Sequence, residues 1–299
     1  MNLSKNWRLA GGLTAATTVA GVGIAAVAFS GAASAAGTSA TVSFQGQNLT
    51  YTAAPGQTNH LTVTRTFKGV PSDAYGAAEY NFTLDDTVPI AFGAGATDHG
   101  CAYPDSADHT WVLCTYVYED GQDPGRMADF KLGDKNDTVS FNDVDRDTYN
   151  TLKFELGAGA DTYHADPKRV EGSQILGGPG NDSISTGILA GDLTGVLGGT
   201  GNDVIHVQGS PAAPVQGGTG NDKLYGDSAA QSFDGGSGND LVHAGVGKDS
   251  IVGGKGNDTL YGEAGADTIY GNSGNDKLYG GKGTDTLIGG PGKDVIHQN

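Results

Sequence analysis

The chain has 299 residues, enough for one or two domains, and its formal net charge is −17. Such an excess of acid argues against nucleic acids and anionic membrane surfaces as partners. Glycine accounts for 51 residues, well above its usual share of roughly 7%, and it lacks the three-residue period of collagen.

Residues 1–36 have the pattern of a signal peptide. Lys5 and Arg8 precede an apolar stretch, and the small residues that follow fit cleavage after Ala35 or Ala36. A retained membrane anchor is the alternative, but no second apolar segment is long enough to span a bilayer. The sequence therefore predicts an extracellular protein, secreted through an N-terminal signal peptide, without membrane insertion.

Residues 37–131 alternate apolar and polar side chains in the manner of β-strands. The strand-like segments are TVSF from Thr41, LTYT from Leu49, HLTVTRTF from His60, EYNFTL from Glu79 and WVLCTYVY from Trp111. This β-rich region is either a small β-domain or the metal-free opening coils of the solenoid that follows. The absence of a linker before Leu132 favours the opening coils.

Cys101 and Cys114 are the two cysteines of the chain. Disulfides persist in oxidising compartments, so in an exported chain we predict that these two residues pair. Two free thiols are the alternative, and the spacing is not that of a C-x-x-C redox motif.

From Gly217 to His297 the chain divides into nine consecutive nine-residue units that follow, or nearly follow, the pattern GGxGxDxUx, where U is a large apolar residue. Further copies, the first two weaker, begin at Leu132, Leu156, Gly177 and Gly198. Each unit is predicted to be a glycine turn followed by a short strand, which buries its one apolar residue by stacking on its neighbours. These predicted core residues occupy position eight: Ile184, Ile205, Leu224, Phe233, Val242, Ile251, Leu260, Ile269, Leu278, Leu287 and Ile296.

A longer period lies over the nonapeptide. Position five is asparagine in alternate units, as at Asn221 and Asn239, so that one coil of the predicted all-β parallel roll has eighteen residues and two different edges. Upstream, the spacing lengthens to 19, 21, 21 and 24 residues. We therefore predict degenerate coils with one regular edge over residues 132–216 and a regular roll over residues 217–299.

The aspartates at position six are predicted to form two files, because neighbouring coils lie about 4.8 Å apart. One edge would carry Asp182, Asp203, Asp222, Asp240, Asp258, Asp276 and Asp294, and the other Asp249, Asp267 and Asp285. Carboxylates at that spacing repel by roughly 3–4 kcal/mol at an effective dielectric constant near 20. Hard oxygen ligands, carboxylate and backbone carbonyl, select calcium, so we predict several calcium ions per chain and folding that depends on them.

The tandem GGxGxDxUx units resemble the RTX family of hemolysin-type calcium-binding repeats. The resemblance implies that each ion lies between the turns of neighbouring coils, held by backbone carbonyls and by the ten aspartates named above. Asp137 and Asp161 belong to the weaker units and extend the set. Gln231 stands where an aspartate belongs, which puts a calcium site at the Gly226 turn in doubt.

No catalytic motif accompanies the repeats. Neither HExxH nor GxSxG is present, and Asp85, Asp86, Asp98 and Asp105 are more simply explained as surface acids than as general acids or bases. The sequence thus predicts a non-enzymatic protein with a structural or adhesive role. The rival hypothesis is a hydrolase with an unrecognised site in residues 38–131 and a stabilising repeat tail.

Histidine and tyrosine share position nine of the units: His164, His206, Tyr225, His243, Tyr261, Tyr279 and His297. A zinc-binding stripe is one interpretation, but His206 and His243 would be about 10 Å apart, too far for one ion. We favour a ladder of rings that pack on each other or on an extracellular or cell-surface ligand. The open edge of the last coil is a candidate site for self-association.

Overall fold

The computed structural model describes residues 39–46, 48–68, 78–118, 126–144, 151–191, 193–211 and 213–298. The predicted signal peptide, residues 1–36, lies outside these ranges. Ser34–Asn299 form one compact unit. The described residues form strands but no helix, and hence no helix that could cross a membrane.

The strands are short and follow each other at regular intervals. The first nine are β1 (Ala40–Gln45), β2 (Asn48–Thr52), β3 (His60–Lys68), β4 (Ala78–Asp85), β5 (Ile90–Phe92), β6 (Cys101–Ala102), β7 (Trp111–Tyr118), β8 (Arg126–Lys131) and β9 (Thr138–Asp143). The next nine are β10 (Thr151–Glu155), β11 (Thr162–Ala165), β12 (Val170–Glu171), β13 (Ser173–Pro179), β14 (Ser183–Leu189), β15 (Gly195–Thr200), β16 (Val204–Gly209), β17 (Val215–Thr219) and β18 (Lys223–Tyr225). The last eleven are β19 (Ser232–Ser237), β20 (Leu241–His243), β21 (Val246–Gly247), β22 (Ser250–Lys255), β23 (Thr259–Tyr261), β24 (Ala264–Gly265), β25 (Thr268–Ser273), β26 (Lys277–Tyr279), β27 (Lys282–Gly283), β28 (Thr286–Ile288) and β29 (Val295–His297).

Two long sheets form the two faces of a β-solenoid. The first sheet has the order β28-β25-β22-β19-β17-β15-β13-β10-β8-β2-β1-β5. The second has the order β29-β26-β23-β20-β18-β16-β14-β11-β9-β3-β4-β7-β6, with β12 beside β14, and a small third sheet joins β21, β24 and β27. All pairings among β8 to β29 are parallel, because each coil adds one strand to each long sheet. The fold is the predicted parallel β-roll.

The five strands predicted in residues 37–131 are present as β1, β2, β3, β4 and β7. β2 and β3 pair in parallel with β8 and β9, so both long sheets continue into this region. β3, β4, β7 and β6 pair in antiparallel fashion at the end of the second sheet. A disulfide joins Cys101 to Cys114, which face each other across β6 and β7. The predicted domain boundaries at residues 131 and 216 stay predictions.

The core is a column of apolar side chains between the two sheets. Position-eight residues of successive coils stand in register, as Ile251 opposite Ile269 and Ile184 opposite Ile205. The predicted core is buried from Ile184 to Leu278. Leu287 is partly buried, and Ile296 is 48% exposed, since the described residues contain no further coil to cover it.

Upstream of the regular repeats, aromatic residues fill the wider coils. Phe154 is fully buried and stacks on Phe130 with ring centroids 4.7 Å apart. It also contacts Phe141 and Tyr163 with tilted rings, at 5.4 and 5.0 Å. These four rings form the largest aromatic cluster of the described core, and Phe154 is at its centre.

The Phe154→Ala variant should lose about 3–5 kcal/mol of unfolding free energy, because it leaves a cavity inside this cluster. Leu197→Ala, at a position 37% exposed in β15, is the control and should cost about 0.5 kcal/mol or less. Urea unfolding of both variants in the same calcium-containing buffer measures the difference. Equal midpoints for the two variants would contradict the assigned core.

Candidate metal centre

The position-six aspartates lie in the turns that join the two long sheets. On one edge the chain passes from the first sheet to the second, and the aspartate directly precedes the second-sheet strand, as Asp222 precedes β18. On the other edge it returns, and Asp249 precedes β22. Since consecutive coils are in register, the aspartates of each edge fall into one row.

The structure brings the predicted aspartates together in two rows. The first carboxylate row is Asp137, Asp161, Asp182, Asp203, Asp222, Asp240, Asp258, Asp276 and Asp294. The second carboxylate row is Asp249, Asp267 and Asp285. Asp137 and Asp161, from the weaker units, are thus full members of the first row.

A repeated hydrogen bond links each row from coil to coil. The backbone N–H of Asp203 donates to Oδ1 of Asp222, 2.8 Å away, and the N–H of Asp222 donates to Oδ1 of Asp240 at the same distance. Beside the first row, the position-five asparagines make a ladder in the opposite direction, in which the N–H of Asn221 donates to Oδ1 of Asn202. One oxygen of each linked carboxylate is therefore occupied.

The other carboxylate oxygen, Oδ2, has no hydrogen-bond partner although it is buried. This holds for Asp137, Asp161, Asp182, Asp203, Asp222, Asp240, Asp249, Asp258, Asp267, Asp276 and Asp285. Buried polar atoms in native proteins are nearly always satisfied, and leaving one bare costs about 1–3 kcal/mol or more. A whole row of such oxygens is an arrangement that suits bound cations.

In the units that begin with glycine, this residue keeps the space beside Oδ2 open. A Cβ added to Gly217 would lie 2.5 Å from Oδ2 of Asp222 and 2.7 Å from the carbonyl oxygen of Gly235 in the next coil. The backbone conformation at Gly217 is open to other residues, so glycine is needed there because a Cβ would not fit. A carboxylate oxygen and a backbone carbonyl oxygen of the next coil thus approach the same spot, which is the oxygen-rich environment that calcium prefers.

Burial raises the pKa of the first-row carboxyls from Asp137 to Asp276, and of Asp249 and Asp267 in the second row, because the charged form loses its water. The pKa of Asp182 and that of Asp240 are raised to about 7. Backbone N–H donation to these carboxylates acts in the opposite direction, and neighbouring carboxylates in the row raise the pKa further. Burial also raises the pKa to about 6 at Asp137, Asp161, Asp222, Asp249 and Asp258.

The start of the first row was not predicted from the sequence. The backbone N–H of Asn59 donates to Oδ1 of Asp137, as each row aspartate donates to the next. Asn59 also directly precedes β3, just as Asp137 directly precedes β9. The Asn59 side-chain amide donates to Oδ2 of Asp86 and to the Tyr51 hydroxyl, at 2.8 and 2.9 Å. The GGxGxD pattern is absent here, so the available signals were the Pro55-Gly56 turn and the place of Asn59 directly before a strand-like segment.

The position-nine rings form the predicted ladder. His206, Tyr225, His243, Tyr261, Tyr279 and His297 stack in this order with centroids 4.5–5.6 Å apart and planes within 11° of parallel. His164 stands apart, opposite Ser185. Within the described ranges, no three side chains of His, Cys, Asp or Glu lie close enough to hold a metal together. A metal in the turns would therefore take ligands from the backbone as well as from carboxylates.

The predicted acids of the N-terminal region do not form a cluster of this kind either. The prediction that Asp86 is a surface acid was wrong: it is buried and accepts hydrogen bonds from the backbone N–H of His60 and of Thr87 through Oδ1. Asp85, Asp98 and Asp105 are exposed. The Asp86 carboxylate thus serves to hold the start of β3.

Comparison with known protein families finds the RTX calcium-binding nonapeptide repeat. Four overlapping copies match, at residues 215–242, 234–269, 243–278 and 261–296. No curated protein matches the chain at a significant level. Residues 215–296 are thus an array of RTX repeats, and the upstream turns that carry Asp137 to Asp203 share its carboxylate row without being part of the match.

In a chelator, the thermal unfolding midpoint should fall as the pH rises from about 5, until near neutral pH the metal-free roll no longer folds. The pKa of Asp182 and that of Asp240 are higher in the folded chain than in the unfolded chain, so folding is favoured while they are protonated and disfavoured once they ionise. Each kcal/mol lost lowers the midpoint by roughly 2–4 °C for a chain of this size.

Saturating calcium is the matched condition for this experiment. There the midpoint should stay level over the same pH range, since a bound cation stabilises the ionised carboxylates. A metal-free midpoint that is level or rises with pH would show that the rows are not buried as described.

Proposed function

We propose that this chain is a secreted, non-enzymatic calcium-binding β-roll whose folding depends on calcium and which serves a structural or adhesive role outside the cell. One observation carries the proposal: the rows of buried Oδ2 atoms without partners, eight of which lie beside a backbone carbonyl of the next coil. Several calcium ions per chain are the cofactor that this pattern suits. The RTX repeats in residues 215–296 support the same assignment.

The residues that would hold calcium are the members of the two carboxylate rows together with turn carbonyls. Calcium accepts six to eight oxygen ligands at flexible angles, whereas magnesium requires a tighter octahedron and zinc favours nitrogen and sulfur. Position-one carbonyls, such as that of Gly235 beside Asp222, supply the neutral oxygens. When bound, the ion supplies the positive charge that the carboxylates lack.

Calcium-dependent folding follows from electrostatics in this proposal. The N–H of each row aspartate donates to the carboxylate of the aspartate in the next coil. Neighbouring carboxylates are therefore held at the coil spacing. At that spacing each neighbouring pair costs roughly 3–4 kcal/mol at an effective dielectric constant near 20. A protein is stable by only about 5–15 kcal/mol in total, so at neutral pH several unneutralised pairs exceed what the fold can offset.

Secretion and the absence of catalysis are supported by the N-terminal half. The predicted signal peptide and the Cys101–Cys114 disulfide suit an extracellular chain. Asp86 is engaged in structural hydrogen bonds and the other candidate acids are exposed, which favours the non-enzymatic function over the rival hydrolase. We propose as further partners an extracellular or cell-surface ligand, and a second copy of the chain at the exposed strand β29.

The Asp240→Asn variant tests the proposal within the first row. Asparagine keeps the Oδ1 acceptor for the N–H of Asp222 but removes the charge, so the coil retains its link and loses a calcium ligand. Isothermal titration calorimetry should show at least one fewer calcium ion per chain, and folding should need more calcium.

Asp98→Asn is the control, because it makes the same chemical change in the exposed loop after β5. It should bind as much calcium as the unaltered chain. Equal calcium uptake by Asp240→Asn and Asp98→Asn would refute the assignment of the row to calcium.

A further inference from the structure

The turn that begins at Gly226 is built differently from the other turns of the regular roll. Its sixth residue is Gln231, which is 5% exposed and stands at the head of the second carboxylate row, where its backbone N–H donates to Oδ1 of Asp249. Thus Gln231 has the backbone role of a row member without the carboxylate.

The side-chain amide of Gln231 occupies the space beside the position-one glycine. A Cβ added to Gly226 would lie 2.1 Å from Oε1 of Gln231 and 2.2 Å from the carbonyl oxygen of Ala244. Nε2 of Gln231 donates to the carbonyl oxygen of Gly209 at 2.7 Å and to Oδ1 of Asp227 at 2.9 Å. Oε1 accepts from the backbone N–H of Asp227 at 3.1 Å.

This turn differs from the carboxylate turns in how its polar side-chain atoms are hydrogen-bonded. Buried row aspartates leave Oδ2 without a partner, whereas both polar atoms of the Gln231 side chain are hydrogen-bonded. Asp227 is satisfied as well, since Oδ2 accepts from the N–H of Gly209 and Oδ1 accepts from the N–H of Ala229. The side-chain oxygens of Gln231 and Asp227 are thus satisfied without a cation.

We propose that the Gln231 amide takes the place of a calcium ion, so that the second carboxylate row begins on a turn that is complete without metal. The N–H donors of Nε2 point at one carbonyl and one carboxylate, the two ligand types that would otherwise face a cation. This inference rests on the proposed calcium binding of the other turns and specifies where that binding stops.

The sequence of the Gly226 turn departs from the repeat at several positions that act together, and not only at Gln231. Three repeat positions change together: position two is Asp227, position four is Ala229 and position six is Gln231. Their polar atoms bond to one another. The first row begins in a related way, because Asn59 donates its side-chain amide to the carboxylate of Asp86. Both rows therefore start with an amide residue bonded to a nearby carboxylate.

The alternative is that calcium binds at this turn through Oε1 of Gln231. The donated hydrogen bonds argue against it, since a cation near Gly209 and Asp227 would displace Nε2 and meet the positive end of the amide dipole. The full-length Gln231→Glu variant separates the two ideas, because it preserves shape and replaces the donor by a second carboxylate facing Asp227. Gln216→Glu, at an exposed position of β17, makes the same change on the surface and is the control.

We expect Gln231→Glu to bind one more calcium ion per chain than the unaltered protein in isothermal titration calorimetry, and Gln216→Glu to bind the same number. At a calcium concentration that only partly saturates the chain, Gln231→Glu should unfold at a lower temperature than Gln216→Glu, and saturating calcium should remove that difference. Gln231→Asp, which copies the neighbouring turns, is the second variant and should also gain an ion.

If neither Gln231→Glu nor Gln231→Asp takes up an additional ion, the proposal is wrong, whether or not the variants fold. An unaltered chain that binds no calcium at all would instead refute the proposed function. In that case the amide is still tested in metal-free buffer, where Gln231→Glu must be less stable than Gln216→Glu if the donor of Nε2 satisfies this turn.

Discussion

The buried rows of carboxylates are the constraint on which the rest of the roll depends. Each linked aspartate uses Oδ1 to accept the N–H of the previous coil, and this bond sets the stacking of one turn on the next. The price is a charged Oδ2 that is buried without a partner. Where position one is glycine, it leaves room beside that atom, and a carbonyl of the next coil borders the same space. The turn therefore holds its coils in register only where a proton or a cation balances the charge.

The remaining features of the roll follow from that stacking. Because the turns fix the coil spacing, position-eight residues such as Ile251 and Ile269 meet in register inside, and position-nine rings such as Tyr261 and Tyr279 meet outside. The core column and the ring ladder add apolar and stacking contacts that do not depend on metal. Neither contribution removes the repulsion along the rows. The balance between them explains why we expect a solenoid with a metal-independent N-terminal core and a metal-dependent run of turns.

Much of this site could be predicted from the sequence, because a strict nonapeptide is a local signal. Position six predicted both carboxylate rows, and lengthened spacings led correctly to Asp137 and Asp161. The role of Asn59 could not be predicted, since its partner Asp137 is 78 residues away and the residues before it do not follow the nonapeptide. Gln231 was recognised as a break in the pattern, but the bonds of its amide to Gly209 and Asp227 depend on how coils stack. The antiparallel strands β4 and β7 were predicted as strands, without their pairing.

The most direct test of this account is a calcium titration of the purified chain, followed by far-UV circular dichroism and calorimetry together at neutral pH. The carboxylate rows predict a metal-free chain that keeps only the β signal of its N-terminal core and gains the rest cooperatively as several ions bind. A β signal that is already complete in chelator and unchanged by calcium, with no heat of binding, would contradict it. The Oδ2 atoms would then be neutralised by some other means, and calcium would have no part in holding the roll.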